Sequence, residues 1–447
     1  MTKAAFVGFG EVNTPIDIIV NKCKAAEEGL KKEELDLVSV YPVTDDYEEN
    51  DIKKALDALS GKDFDCLVVC IAGWIPTHAV VKVCEHFREK PMVLWGLCGW
   101  TEGDRLVTTA DQAGTSALRK TFYDLGYTFK YVYDIVGLPS NTNKVYNYAL
   151  AASAAAKLRH ARSGMAGYRD MNLYGTLYDG GSLKREIGPE IETFEMLEIE
   201  QRYQKITDAQ KQEVIDSAMS KWHFLKPANI EGMKKAAGYY LAIKQIADER
   251  GYEAVSIKDV DGMKKLLGFP PAPILMLLSD EAKLCTIPEN DSLGNITQLM
   301  VKYLTGQCAF YLEFYEFFTD RVLAGVPDYV PAEVTEKVEV MPAAFGELSE
   351  GILNVSKVKT GTVTMCRLTC VDGKYYMHMV VGEGITPHKW EEAGWTQPAP
   401  QLPGLEILLD DVEDFAQNVM CQHYIISYGD NSEKISNLCD ILGIEIL

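Results

Sequence analysis

The first third of the chain alternates short apolar runs with amphipathic stretches. The apolar runs cover residues 4–7, 35–43, 64–72 and 91–95, and helical spacing covers residues 15–28, 51–60, 77–85 and 114–125. Strands that are apolar throughout, each followed by a helix, are typical of a parallel sheet covered on both faces. An alanine-rich stretch at 147–162 predicts a long helix that leads out of this unit. We therefore predict an N-terminal α/β domain over residues 1–164.

The middle of the chain continues the mixture of strands and helices. We predict strands at 170–177, 254–257 and 306–313, and helices at 208–221, 230–249 and 292–304. The pair Asp291 and Ser292 offers N-cap oxygens at the start of the last of these helices. These elements predict a central α/β domain over residues 165–332.

The remaining chain is rich in β-strand patterns. They cover residues 335–342, 354–358, 360–371 and 374–382, and Val371-Asp372-Gly373-Lys374 predicts a tight hairpin turn. An apolar run follows at 418–427, and a closing helix at 432–442. We predict a C-terminal domain over residues 333–447, built as a small antiparallel barrel or sandwich. The predicted fold class is thus α/β, with two Rossmann-like parallel-sheet domains followed by a smaller β-rich, barrel-like domain.

Composition narrows the range of partners and locations. The 447 residues carry a formal net charge of −21, which argues against nucleic acid and anionic membranes as partners, because phosphate binding needs clustered Lys and Arg. No apolar run reaches the roughly 18 residues that a membrane span needs. The eleven cysteines lack a disulfide-framework spacing, so we expect reduced thiols. With no export signal at the start, we predict a cytoplasmic protein.

Three distant residues suggest a metal site. His423 opens an apolar segment, Glu313 lies among Phe, Tyr and Leu, and Glu289 precedes a helix. Each has an ordinary structural explanation. His423 could be a core histidine, and Glu289 could be a charge at a helix N-terminus. Glu313 could be a strand residue that faces solvent, and Glu316 and Asp320 are rivals for its role. Taken together, two carboxylates and one imidazole suit a catalytic divalent metal with open positions for substrate.

Two further features bear on a ligand. The run Gly8-Phe9-Gly10-Glu11-Val12-Asn13 follows a strand and resembles a dinucleotide fingerprint, but Asn13 stands where the third glycine is expected. A nicotinamide-dependent oxidoreductase is therefore a rival hypothesis. Trp74 follows a strand at the predicted carboxyl edge of the sheet, where such folds bind ligands. Its ring could stack on a sugar or fill an interface between domains.

The three candidate ligands carry a resemblance to a known family. The segment from Gln422 to Leu442 resembles the end of L-fucose isomerase, where an amide residue and a metal-binding histidine open an Ile/Ser/Tyr-rich strand. Glu289-Asn290-Asp291-Ser292 is similar to the place of that family's first metal carboxylate, and Glu313 follows 24 residues later. The order of elements also resembles the L-arabinose isomerases over nearly the whole chain. Where those carry a further metal-contacting histidine, this chain has Gly325-Val326-Pro327-Asp328, so the three-ligand site of the fucose type fits better.

The resemblance implies a function and a set of residues. It implies a metal-dependent aldose–ketose isomerase, an intramolecular oxidoreductase, that acts on an open-chain sugar through a cis-enediol. Mn²⁺, or another divalent cation such as Mg²⁺ or Co²⁺, is the implied cofactor, and a homo-oligomer such as a hexamer is the implied assembly, with sites at subunit interfaces. The ligands would be Glu289, Glu313 and His423, with the two glutamates also catalytic, and the substrate contacts would be Gln422, Asn418, Trp390, Trp74 and Gln112. Two more functions would suit the same scaffold, namely isomerisation of a modified aldose, such as a sulfonated one, and sugar binding without catalysis.

Overall fold

The computed structural model describes residues 2–345, 348–390 and 403–447. The chain divides into two compact units. The first runs to Ala156 and includes Ser436–Leu442, and the second comprises Lys157–Ile435 and Gly443–Leu447. The predicted domain limits at residues 164 and 332 stay predictions. In the described ranges, no helix combines the length and the apolar character that crossing a bilayer requires.

The first unit contains a parallel sheet of five strands in the order β2-β1-β3-β4-β7. Its strands are β1 (Lys3–Phe9), β2 (Asp36–Val43), β3 (Cys66–Ile71), β4 (Met92–Gly96) and β7 (Phe129–Tyr133), and β5 (Trp100–Glu102) pairs with β6 (Arg105–Val107) in a small hairpin. The helices are α1 (Ile16–Lys32), α2 (Asn50–Leu59), α3 (Thr77–Cys84), α4 (Asp111–Asp124) and α5 (Thr142–Leu158). Buried apolar clusters cover both faces of the sheet, as a sheet of uniformly apolar strands requires.

The glycines of the Gly8–Asn13 run are explained by packing. A Cβ atom added at Gly8 would lie 2.3 Å from the sulfur of Cys23, and one added at Gly10 would lie 2.6 Å from Ile19. Both contacts are far shorter than real Cβ contacts, so β1 approaches α1 closely only because these two positions lack a side chain. This close helix–strand packing accounts for the glycines without a nucleotide.

The second unit begins with another parallel sheet, in the order β12-β11-β8-β9. Its strands are β8 (Arg162–Ala166), β9 (Glu190–Phe194), β11 (Ala254–Ile257) and β12 (Cys285–Ile287). The helices are α6 (Gly180–Glu186), α7 (Met196–Tyr203), α8 (Asp208–Lys221), α9 (Ile230–Arg250), α10 (Ala272–Asp280) and α11 (Ser292–Thr305), and a short strand β10 (His223–Phe224) follows α8.

One strand prediction in this region is wrong. Residues 170–177 form turns, because the fully buried Asp170 carboxylate accepts hydrogen bonds from the backbone N–H groups of Val260 (2.7 Å) and Asp261 (2.8 Å). A side chain committed to a neighbouring turn cannot alternate in and out of a sheet. The helix predicted at 147–162 also ends early, at Leu158, and the strand β8 begins where that helix was expected to end.

A closed barrel of six antiparallel strands completes the second unit. Its strands are β13 (Phe310–Phe317), β14 (Arg321–Gly325), β17 (Gly361–Val371), β18 (Lys374–Ile385), β19 (Gly404–Leu408) and β20 (His423–Tyr428), and the pairing of β17 with β18 closes the ring β17-β20-β13-β14-β19-β18. The strands β15 (Glu339–Phe345) and β16 (Leu348–Asn354) form a small sheet with β10, and β21 (Glu445–Ile446) pairs with β18. The helices α12 (Val412–Asn418) and α13 (Ser432–Leu442) precede and follow β20 along the chain. The predicted α/β class with a β-rich barrel is confirmed.

The predicted hairpin turn between β17 and β18 is also confirmed. Val371 pairs with Lys374, and Asp372 and Gly373 have positive φ angles of 50° and 75°. Two consecutive turn residues with positive φ angles match the twist of the flanking strands. By contrast, the strands predicted at 335–342 and 354–358 are displaced, since β15 and β16 cover later and earlier residues respectively.

Candidate metal centre

A row of four paired residues crosses the barrel. His423 of β20 lies opposite Glu313 of β13, which lies opposite Gly325 of β14, which lies opposite Gly404 of β19. Residues directly opposed across an antiparallel pair project from the same face of the sheet. The imidazole and the carboxylate therefore stand side by side, and the two glycines make room beside them for another side chain.

Glu289 reaches this row from a strained turn between β12 and α11. Glu289 and Asn290 have left-handed φ angles of 62° and 51°, which costs roughly 1–3 kcal/mol for each such residue. The turn is held by the buried Asn290 side chain, whose amide donates to the carbonyl oxygens of Ala166 (3.0 Å) and Tyr168 (2.5 Å). The strain thus persists because a side chain fixes the turn, and the turn aims Glu289 at the barrel.

The three side chains predicted as metal ligands meet at one place. Their ligand atoms all lie within 4.8 Å of one another. The Nε2 atom of His423 lies 3.0 Å from Glu313 Oε1 and 3.6 Å from Glu289 Oε2. The histidine side chain is fully buried, whereas the glutamates are 14% and 21% exposed, which leaves one side of the group open. The structure brings the three residues together, and their role as ligands stays a prediction.

Asp291 orients the histidine. Its carboxylate accepts two hydrogen bonds from Arg367, one of them 2.8 Å long, and one from the backbone N–H of Gly294 at the start of α11. Its Oδ2 atom lies 2.9 Å from His423 Nδ1. Although burial opposes the charged form, Arg367 and His423 hold the pKa of Asp291 well below its usual range. An ionised carboxylate cannot donate, so the His423 Nδ1–H donates to it.

That hydrogen bond determines which nitrogen of the His423 ring can accept a hydrogen bond or bind an ion. With the proton on Nδ1, a neutral imidazole presents the Nε2 lone pair toward Glu313 and Glu289. A carboxylate behind the ring is the usual way in which proteins fix the orientation and basicity of a metal-binding histidine. Asp291 was predicted only as a helix N-cap, which it is, and Arg367 was missed. The only signal for Arg367 in the sequence is a charged residue within the apolar strand β17.

The charges of the group favour a cation. Among the described residues, the carboxyl groups of Glu289, Asp291 and Glu313 face one guanidinium, that of Arg367. Two negative charges therefore remain when all three carboxyl groups are ionised and the imidazole is neutral. Burial, with the charges of Glu313 and Asp328, raises the pKa of Glu289 to about 7. Burial lowers the pKa of His423, but hydrogen bonds to Asp291 and Glu313 outweigh it and raise that pKa well above its ordinary value. Glu289 and His423 thus hold protons more tightly than usual, which shows that this acidic group favours added positive charge. A divalent cation could supply that charge, and carboxylate and imidazole donors suit it.

Two predicted substrate contacts lie beside the group. Gln422 donates its side-chain N–H to Glu289 Oε2 at 3.0 Å. The indole of Trp390 fills the space above the two glycines of the row, since a Cβ added at Gly325 or Gly404 would lie 2.6 or 3.2 Å from its Cζ2 atom. The indole therefore forms a wall next to Glu313.

The loop that carries Trp390 is anchored to the barrel. Buried Glu406 accepts hydrogen bonds from the His388 backbone N–H (2.9 Å) and from Arg321 Nε (2.7 Å), and its Oε1 atom lies 2.5 Å from His388 Nδ1. In the described part of the chain, the buried Nε1–H of Trp390 has no hydrogen-bond partner. A buried donor left free beside an open site is suited to a polar group of a ligand.

The other candidates lie elsewhere. The Asn418 amide donates to Asp414 on its own helix α12, so its substrate contact stays a prediction. Glu316, a rival of Glu313, is exposed on β13, and Asp320, the second rival, pairs with Arg321 at 2.7 Å. Trp74 and Gln112 belong to the first unit, and their contact with a substrate also stays a prediction.

Comparison with known proteins adds little to this geometry. No protein-family model matches the chain, and no curated protein matches it. Among solved structures, the chain is similar to a periplasmic solute-binding protein of an ABC transporter from Actinobacillus succinogenes 130z, which was crystallised with bound D-allose. The two are 16% identical over 69% of this chain and 93% of that one, with a TM-score of 0.18. A TM-score that low carries no argument about fold or function.

Proposed function

We propose that this protein is a divalent-metal-dependent aldose–ketose isomerase of the L-fucose isomerase type. One observation carries the proposal. Two carboxylates on separate elements converge on the Nε2 atom of a buried imidazole whose Nδ1–H donates to a third, ionised carboxylate. A merely structural histidine needs no such arrangement, whereas a metal ligand does.

The implied cofactor fits the residues that are present. Glu289, Glu313 and His423 would hold Mn²⁺, Mg²⁺ or Co²⁺, since oxygen and imidazole donors suit these ions. Three protein ligands leave coordination positions for substrate oxygens. When bound, such an ion supplies Lewis-acid polarisation of the sugar carbonyl and of the neighbouring hydroxyl.

The chain's own side chains then account for proton movement. One of Glu289 and Glu313 removes the proton on C2 of the open-chain aldose, and the other moves the hydroxyl protons. The resulting cis-enediol receives a proton at C1 and becomes the ketose. In the metal-free protein, burial raises the pKa of Glu289 to about 7, so this carboxyl can hold a proton near neutral pH until an ion binds. Gln422 fixes the Glu289 carboxylate by its 3.0 Å hydrogen bond.

Trp390 would hold the sugar itself. Its indole lies over Gly325, the residue paired with Glu313. Its Nε1–H, which has no hydrogen-bond partner among the described residues, can donate to a hydroxyl group. This combination suits a carbohydrate, whose C–H bonds stack on aromatic faces and whose hydroxyls need partners. Homo-oligomerisation, the choice of sugar, and the substrate roles of Trp74, Gln112 and Asn418 stay predictions that rest on the resemblance.

Hydrogen exchange at C2 tests the proposal. A panel of aldoses and modified aldoses is incubated in D₂O with the protein and MnCl₂, and NMR follows both ketose formation and deuterium at C2. We expect activity with at least one aldose, its loss in EDTA, and its recovery on adding Mn²⁺. In E313Q we expect turnover to fall at least about a thousandfold, because a group acting on the transferred proton is lost. The matched variant E316Q, which changes a glutamate at the exposed end of the same strand, should retain wild-type turnover.

The rival functions give different results in the same samples. A non-catalytic sugar-binding protein would bind a sugar in EDTA with unchanged affinity and would exchange no hydrogen. A nicotinamide oxidoreductase would quench or shift NADH fluorescence on titration. Either result, together with an absence of activity across the aldose panel, would overturn the isomerase proposal.

A further inference from the structure

A buried lysine lies between two buried carboxylates in the second unit. Lys264 ends a short π-helical turn (Asp259–Lys264) that follows β11, and Asp328 lies in the loop after β14. The Lys264 Nζ atom is 2.8 Å from Asp259 Oδ2 and 3.7 Å from Asp328 Oδ1. The three residues are 8%, 1% and 3% exposed. This is an ammonium group with two carboxylates, all removed from water.

Each of the two carboxyl groups has an oxygen that could accept a further hydrogen bond. Within the described residues, Asp259 Oδ1 and Asp328 Oδ1 are buried and accept no hydrogen bond. The other oxygen of Asp328 accepts from the Tyr311 hydroxyl at 3.2 Å. One ammonium faces two carboxyl groups, and burial raises the pKa of both, that of Asp259 to about 8. Two of their oxygens accept no hydrogen bond from the described residues. Buried oxygens of this kind normally have a partner.

This lysine–aspartate group adjoins the candidate metal centre. Tyr311, which donates to Asp328, lies two residues before Glu313 on β13, and its ring packs edge-on against the His423 imidazole with centroids 5.0 Å apart. The charge of Glu289 also stabilises the Lys264 ammonium. The two groups are therefore joined through a single aromatic side chain.

We propose that the Lys264 ammonium takes the place of a second cation beside the metal centre. The native site then holds one divalent ion. The carboxylates of Asp259 and Asp328 can hold another ion only when Lys264 is removed. This inference rests on the proposed function insofar as the first centre binds a divalent ion. Divalent ions such as Mn²⁺ prefer carboxylate oxygens, and neighbouring ions in one site are a common arrangement. A lysine at the second position keeps its charge where a chelator cannot remove it, and it holds the site to one exchangeable ion.

Metal stoichiometry of the full chain tests the inference. Wild type, K264Q, the double variant D259N/K264Q and the control K265Q are equilibrated with MnCl₂, and bound Mn²⁺ per chain is counted by elemental analysis and by titration calorimetry. K265Q is a matched control, because Lys265 is the next residue and pairs with Asp261 on the surface. We expect one ion in wild type and K265Q, two in K264Q, and one in D259N/K264Q, where half of the vacated carboxylate pair is gone.

The outcomes separate this inference from the proposed function. No bound Mn²⁺ in wild type would overturn the metal centre itself, and the inference with it. One ion in wild type and one in K264Q, with similar affinity, would overturn the inference alone. If K264Q folds only with Mn²⁺, recovery of its thermal transition in MnCl₂, but not that of D259N/K264Q, supports the inference. Failure of K264Q to fold at every Mn²⁺ concentration overturns it, since the vacated position then accepts no cation.

Discussion

Changing Asp291 to Asn should weaken metal binding without removing a ligand. Asn keeps an oxygen that can cap α11, since Asn and Asp are equally good N-caps. Its amide group, however, presents a donor where His423 Nδ1–H now donates at 2.9 Å. The ring then favours the tautomer with its proton on Nε2, which faces the two glutamates and cannot bind a metal. Loss of such a partner costs about 10–100-fold in metal affinity, or about 1.4–2.8 kcal/mol.

The same change has a separate effect on stability. Arg367 is fully buried, and its guanidinium makes two hydrogen bonds to Asp291. Removing one partner of a buried pair leaves an uncompensated charge and costs about 3–5 kcal/mol, which is a large part of a total of about 5–15 kcal/mol. Replacing both, in D291N/R367M, removes that penalty, because Met carries no charge that needs a partner and the introduced Asn side chain can still cap α11.

Two measurements on three variants separate these effects. Mn²⁺ affinity is measured by calorimetry, and stability by urea denaturation of the metal-free proteins. We expect D291N to lose both affinity and stability, and D291N/R367M to regain stability while its affinity stays reduced. D411N is the control, because Asp411 caps α12 by accepting the Asp414 N–H at 2.9 Å and is exposed. A folded D291N/R367M that binds Mn²⁺ as tightly as wild type would refute the orienting role of Asp291.

Three further outcomes follow from the site. Glu289 has a pKa of about 7 in the folded protein against the usual 4.5, so it binds its proton more tightly in the folded state. The metal-free protein should therefore lose up to about 3 kcal/mol of stability as the pH rises from about 5 to about 8. Urea denaturation should show a shallower pH dependence of stability in E289Q than in wild type, and an equal dependence contradicts this. G325V should displace the Trp390 indole, raising KM for the sugar severalfold and shifting tryptophan fluorescence while leaving Mn²⁺ affinity unchanged; an unchanged KM contradicts the wall. E406Q should cost about 1–3 kcal/mol and raise KM, because His388 loses its anchor; a stable variant with wild-type KM argues against it.

The sequence was informative where a single local signal determined the structure. Uniformly apolar runs predicted the parallel strands of the first unit, and a polar residue in an apolar run singled out Glu313 and His423. Such signals fail when the partner is distant. Arg367 lies 76 residues from Asp291, and no local pattern pairs them. Asp170 stood in a strand-like run, yet its side chain binds backbone 90 residues away and holds the chain in turns.

The lysine–aspartate group was invisible for a similar reason. Asp259 and Lys264 belong to one short turn, but Asp328 joins them only through the fold. In the sequence, Asp259 and Lys264 are ordinary charged residues of a polar stretch, and Asp328 is a single charged residue among apolar ones. Burial turns them into a group with a fixed charge and free acceptors, and burial of a loop residue cannot be derived from periodicity.

Because His423 pairs with Glu313, ion binding at this site depends on the register between β13 and β20. The two residues are 110 positions apart and share a face only in the observed register of β13 and β20. A shift by one residue would turn one of the two side chains to the opposite face. A misthreaded barrel therefore brings together at most two of the three predicted ligands, and the ion stabilises it less. Since a ligand stabilises most the state that it binds most tightly, Mn²⁺ present during refolding should enrich the correctly threaded chain at the expense of its slipped competitors.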